Sequence, residues 1–283
     1  VPENVPGDFF VDTTCIDCDT CRQIAPAVFG EAPGTSFVKA QPVAGTDRRT
    51  ALRALLACPT GSIGCLGDDD VKAVTEDFPL PVEGPVFYCG YNSPKSYGGN
   101  SYFVRHADGN WLIDAPKFVT PLVRRFEALG GIAHIFLTHR DDVADADRFA
   151  AHFKSRRIIH RDELSAQPGA EVVLDGGGPW VLAPDFLAVP TPGHTEGHCA
   201  LLFHDRFLFT GDHLDWDRDR QRLSASEGYC WYSWPRQAES MRRLADYRFE
   251  WVLPGHGQRV HLPAAEMRAE ILRLVERMAR SDQ

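Results

Sequence analysis

The sequence predicts an α+β chain in two unequal parts. Three cysteines crowd into "CIDCDTCRQIAP", Cys15 to Pro26, and a fourth, Cys58, arrives before Pro59 in "ALLACPTGSIGC". A stretch rich in proline and glycine, "EDFPLPVEGPVFYCGYNSPKSYGG", comes next and breaks regular structure. Beyond it, short apolar runs alternate with helical ones, and histidines and aspartates collect where the apolar runs end. These three observations place a small domain over residues 1–78 and a larger one over 79–283.

A length of 283 residues suits one large domain or two ordinary ones. The net charge of -9, from 39 acidic and 30 basic residues, argues against nucleic acid and anionic membrane as partners. No apolar run reaches eighteen residues, so no membrane span is expected. The start, "VPENVPGDFF", lacks the charged and apolar regions of a targeting segment. Eight cysteines are present, but a core of this size needs no disulfide staples. Cys65, Cys89, Cys199 and Cys230 are scattered, and Cys65 reads as a buried small hydrophobe. A reducing compartment is expected, either the cytoplasm or one such as a plastid stroma.

In the first part, "GDFFVDTT" and "VKAV" read as strands of a small sheet. "GTDRRTALRALLAC" has apolar residues at helical spacing and stops at Pro59, so it reads as a helix delivering Cys58. Thiolates are soft ligands that suit iron–sulfur clusters or zinc. Zinc sites usually pair two CxxC knuckles. Here Cys15, Cys18 and Cys21 share one loop and Cys58 stands apart before a proline, which is the bacterial ferredoxin pattern. Residues 7–78 resemble a single-cluster [4Fe-4S] ferredoxin domain, with Cys15, Cys18, Cys21 and Cys58 as the implied ligands. Asp12, Asp17 and Asp19 put negative charge nearby, which would lower the cluster's potential or suit docking to a basic electron-transfer protein.

In the second part, "NSYFVRHADGNWLIDAP" reads as two strands turning at Asp108-Gly109. "TPLVRRFEALGG" is a helix with a glycine stop, "IAHIFLTH" a strand ending on a histidine, "DADRFAAHF" a helix and "RRIIH" a strand. "LAVPTPGHTEGHCALLFHDRFLFTGD" holds three strands. "LTHRDD", "PTPGHTEGH", "FTGD" and "LPGHG" resemble the motifs of the metallo-β-lactamase fold, over residues 86–275. That resemblance implies an αββα sandwich with a metal site built from His139, His194 and Asp212, and a further motif histidine at His256.

The resemblance also shows a departure. Where the family has THxHxDH, this chain has "THRDDVA": the second histidine is Asp141, and the last two ligands are Val143 and Ala144. The family's second metal is therefore expected to be lost. One mononuclear metal, Fe or Zn, is expected on His139, His194 and Asp212, with Asp141 as a fourth ligand or a general base; Asp142 is the alternative ligand next door. Two histidines and a carboxylate match a facial triad for Fe(II) and serve Zn(II) equally well. His256 would contact a substrate or shuttle a proton, so Asp141 and His256 are the candidate catalytic residues. His198 reads as a residue behind the ligands. Trp216, Trp231, Tyr232 and Trp234 either floor a pocket or simply pack.

Three functions fit. In the first, the [4Fe-4S] cluster is coupled to the mononuclear metal and the pair acts on a small-molecule substrate, with an electron-transfer protein as partner. In the second, the metal hydrolyses an ester or thioester and the cluster is structural. In the third, the chain is a non-catalytic electron-transfer or assembly module.

Overall fold

A computed structural model describes residues 1–43 and 45–281. In chain order the elements are β1 (Phe9–Val11), α1 (Thr20–Ile24), β2 (Phe29–Ala32), β3 (Thr35–Val38), α2 (Thr46–Ala57), β4 (Ile63–Cys65), α3 (Val71–Thr75), β5 (Leu80–Glu83), β6 (Val86–Tyr88), β7 (Tyr102–Val104), β8 (Trp111–Ile113), α4 (Thr120–Ala128) and β9 (His134–Phe136). There follow α5 (Ala146–Phe153), β10 (Arg156–His160), β11 (Val172–Leu174), β12 (Trp180–Ala183), β13 (Phe186–Pro190), β14 (Cys199–Phe203), β15 (Phe207–Gly211), β16 (Asp215–Asp217), β17 (Arg222–Ser224), α6 (Trp234–Leu244), β18 (Trp251–Pro254), β19 (Val260–His261) and α7 (Ala264–Ser281). These form two units, Val1–His134 with Ala144–Ser155, and Ile135–Val143 with Arg156–Gln283. Position 78/79, the expected domain boundary, lies inside the first unit. Phe78 there is fully buried, its ring 5.0 Å from that of Tyr91.

In the first unit, α2 buries Ala51, Leu52, Ala54 and Ala57 against Phe9, Val11, Val28, Phe29 and Ile63. Each large side chain so buried contributes about 1.5–3 kcal/mol before its entropy cost. The helix ends where Pro59 cannot continue it. The partner of β1 is β4, antiparallel, with Phe9 opposite Cys65. "VKAV" is thus not a strand but the short helix α3. Asp70 accepts from Ala73 N at 3.0 Å and starts the helix there, a cap that outweighs the β-branched residues. The proline-rich stretch is not irregular either. It contains β5 and β6, an antiparallel hairpin turning at Gly84, and Pro81 is tolerated because β5 is a sheet edge. Then β6, β7 and β8 continue the antiparallel order.

In the second unit, β10 and β11 run parallel. A further sheet has the order β12-β13-β14-β15-β18-β19. Both β14 and β15 are buried along their whole length, as their near-continuous apolar sequences require. Helices α6 and α7 cover that sheet with Met241, Leu244, Met267, Ile271 and Leu274. The connections after β9, β13, β15 and β18 carry His139, His194, Asp212 and His256.

Candidate metal centres

Cys15, Cys18, Cys21 and Cys58 line one small cavity, together with Ile16 and Pro59 among others. All four are free thiols, as are the other four cysteines of the chain. Burial pushes the Cys21 thiol up to about 12 and raises Cys18. Four thiols converging on one small cavity, where bare thiolates are disfavoured, fit a group that binds them as thiolates. A backbone N–H already reaches one sulfur, Ser36 N lying 3.4 Å from Cys15 Sγ, while the Cys18 thiol donates to Thr20 Oγ1 at 3.4 Å. Asp17 and Asp19 do not act as bare charges, since Arg22 bonds them at 2.7 and 2.6 Å. Cys65 lies outside the cavity lining and is not a simple buried hydrophobe; its thiol donates to Asp69 at 3.1 Å.

Residues 92–100 pack behind Thr20 and Cys18, two residues of the cavity lining. Asn92 Nδ2 donates to Gly98 O at 2.7 Å and to Thr20 Oγ1 at 3.1 Å, and Tyr88 donates to Asn92 Oδ1 at 2.7 Å. Gly98, with φ of +88°, sits against Cys18: a β-carbon there would lie 2.7 Å from Cys18 Cβ. Both the backbone conformation and the close approach require glycine.

In the second unit His139, His194 and Asp212 each point one ligand atom into a common space, all within 4.8 Å of one another. His139 and His194 are buried. The His194 Nδ1–H donates to the Tyr229 carbonyl at 2.5 Å, so Nε2 carries the lone pair that faces the site. The Nε2 atoms of His139 and His194 both lie 3.7 Å from Asp212 Oδ2. Asp141 Oδ2 lies 3.8 and 3.5 Å from the same two nitrogens. Hydrogen bonds would bring such atoms to about 2.7–3.2 Å. Two ligands on one tetrahedral cation, each bonded at about 2.1 Å, are roughly 3.4 Å apart. The spacing is therefore that of ligands. His194 Nε2 and Asp212 Oδ1 are buried with no hydrogen-bond partner, an arrangement that costs about 1–3 kcal/mol per atom and that a cation relieves. Asp141 reaches both imidazoles but lies outside the three-residue group, its side chain about half exposed.

The expectation that the second cation position is lost does not match the geometry. Asp142, Asp212 and His256 form a second convergent group. Asp142 is buried, and His256 Nε2 lies 4.0 Å from its Oδ1 and 3.9 Å from Asp212 Oδ2. His256 thus stands with two carboxylates. Gly255 makes the room: a β-carbon there would sit 2.5 Å from Asp142 Oδ2. Burial alone would raise the Asp212 pKa, but His256, His139 and His194 around it hold it well below the usual range.

Behind these donors, Glu163 is fully buried and fastens two ligand-bearing loops. It accepts from Arg140 N at 3.0 Å and Arg140 Nε at 2.5 Å, beside His139, and from Gly197 N at 2.7 Å, in the loop after His194. No spacing in the sequence marks this residue. His198 is not in either donor group; its Nδ1 lies 2.8 Å from Thr191 Oγ1, and its ring stacks on buried His213 at 5.5 Å. Residues 229–233 brace His194 from the other side. Trp231 N and Tyr232 N both bond to His194 O, at 2.9 and 3.1 Å, while their rings stay largely exposed. Trp216 and Trp234 instead pack against the core under α6 and α7.

Residues 11–65 match the family described as "4Fe-4S single cluster domain of Ferredoxin I". Curated relatives include hydroxyacylglutathione hydrolases of Citrobacter koseri, 37% identical over 127 residues, and of Salmonella arizonae, 31% identical over 127 residues. Each alignment covers 44% of this chain and 50% of the relative. The chain spans about half the length of the curated relatives it matches. Among solved structures, DIM-1 metallo-β-lactamase aligns with a TM-score of 0.53 at 16% identity, covering 69% of this chain and 95% of that one. TMB-1 aligns with a TM-score of 0.53 at 17% identity, covering 70% and 96%. At these identities the likeness is one of fold. The chain accordingly carries a match to a single-cluster [4Fe-4S] ferredoxin domain over residues 11–65, and its larger part has the metallo-β-lactamase fold.

Proposed function

We propose that the histidine–aspartate centre is a metal-dependent hydrolase site for a small ester or thioester, with positions for two cations. One observation carries this reading: Asp212 Oδ2 faces three imidazoles at 3.7, 3.7 and 3.9 Å, with Asp141 reaching one group and Asp142 completing the other. His139, His194 and Asp212 would hold one cation, and Asp142, Asp212 and His256 the second. A bound cation of this kind supplies a Lewis acid and an activated water. The half-exposed Asp141 carboxylate is placed to accept a proton from water at the open side. The names of the curated relatives support a thioester as substrate class.

The four-cysteine cavity on the same chain favours a second reading, in which the metal centre exchanges electrons that the cluster delivers from a protein donor. Anaerobic metal and sulfide analysis, paired with turnover of an S-acylglutathione probe before and after dithionite, separates the two. The hydrolase reading expects about four cluster irons plus further divalent metal, and turnover that is indifferent to reduction and abolished by His194→Ala. Turnover that appears only on reduction favours the redox reading. Absence of turnover together with absence of non-cluster metal rejects both and leaves an electron-transfer or assembly module.

A further inference from the structure

Lys117 is a cation held in protein without an anion. Its side chain is partly buried, and its ammonium donates to the Cys58 carbonyl oxygen at 3.3 Å. Its own backbone nitrogen is pinned to Tyr91 O at 2.9 Å, which fixes where the stem starts. Among the described residues no carboxylate pairs with it, although the chain carries 39 acidic side chains. Withdrawing an ammonium from water without a counter-charge is costly.

The missing anion is adjacent. Cys58 is the remote ligand of the cysteine cavity, and Lys117 bonds its main chain. Four thiolates around a [4Fe-4S] cluster leave the assembly anionic, and reduction adds one further negative charge to it. A fixed cation at this distance stabilises the reduced form more than the oxidised form, and net charge nearby is one of the levers on such potentials. We infer that Lys117 is the counter-charge of the cluster and raises its reduction potential. The inference rests on the assignment of Cys15, Cys18, Cys21 and Cys58 as cluster ligands. The redox step is simple: one electron passes from the donor to the cluster, and Lys117 keeps its proton throughout. This effect opposes that expected of Asp17 and Asp19, which Arg22 already offsets.

A plainer role is available, since a lysine at the C-terminal end of α2 also caps a helix. Capping affects stability; it does not depend on the oxidation state of the cluster. The test is an EPR-monitored dithionite titration of the full chain, wild type against Lys117→Gln, Lys117→Met and Lys117→Arg, with iron counted in each. Both neutral variants are expected to keep their iron and to shift the midpoint negative, by about tenfold in the reduction equilibrium, which is about 59 mV for one electron. Lys117→Arg is expected to stay near wild type. Neutral variants with full iron and an unmoved midpoint overturn the inference. If the neutral variants lose iron and Lys117→Arg retains it, the charge requirement stands on cluster retention instead; loss in all three overturns it. A wild-type chain that takes up no iron overturns the inference together with the cluster assignment, and the wild-type iron count distinguishes that case from a failure of Lys117 alone.

Discussion

The cysteine cavity takes three of its four thiols from seven consecutive residues, Cys15 to Cys21, whereas the histidine–aspartate centre draws on four connections spread between residues 139 and 256. The first arrangement is local: the loop's own geometry brings the sulfurs together, and one helix delivers the fourth. The second is tertiary, since nothing holds its donors together except the sheets whose ends carry them. The local site depends most on the backbone packed behind Cys18, and the tertiary site on the residues that tie its loops to one another.

That contrast can be broken most severely at Gly98. Replacing it with valine forces a β-branched residue into a left-handed conformation and against Cys18, at an expected cost of about 3 kcal/mol from strain and overpacking together. The unfolding temperature and iron content should both fall, while metal at the histidine–aspartate centre is retained; normal iron content in Gly98→Val would show that this close approach is dispensable. A narrower change is Asp142→Ala. It should remove one of two divalent cations and leave the other on His139, His194 and Asp212, as read by metal analysis. Retention of both would remove Asp142 from the ligand set. The smallest effect is expected from Glu163→Gln, which keeps the shape but weakens the tie between the Arg140 and Gly197 loops. Outer partners of metal ligands are typically worth about 10–100-fold in metal affinity. Calorimetric titration with Zn(II) should show a loss in that range, and an unchanged affinity would mean that the two loops are held by packing alone.

How much of this could be read in advance follows the same division. Cys15, Cys18, Cys21 and Cys58 are legible because their spacing is itself the signal. His139, His194, Asp212 and His256 are legible only through strand-end motifs that resemble a known fold. The role of Asp142 was open, because its placement depends on the bare backbone of Gly255, a residue 113 positions away in sequence. Glu163 left no trace, since a buried carboxylate paired with arginine has no periodicity to betray it. "VKAV" reads as a strand by its valines, but one aspartate before it starts a helix. The proline-rich stretch reads as a linker, yet an edge strand tolerates proline and so β5 forms.

Asn92 and its bonds to Thr20 and Gly98 have a consequence for how this gene can be divided. The ferredoxin-type match ends at residue 65, but the polar knot behind Thr20 and Cys18 is tied by residues 88–100. A fragment ending near residue 78 would keep all four cysteines and lose that knot, leaving the Thr20 hydroxyl and the Cys18 corner open to water. The matched segment and the smallest piece that keeps these polar groups paired are therefore different lengths of chain. An exchange of ferredoxin-type segments would have to carry the segment through Asn100 to keep Asn92 and Gly98 with Thr20.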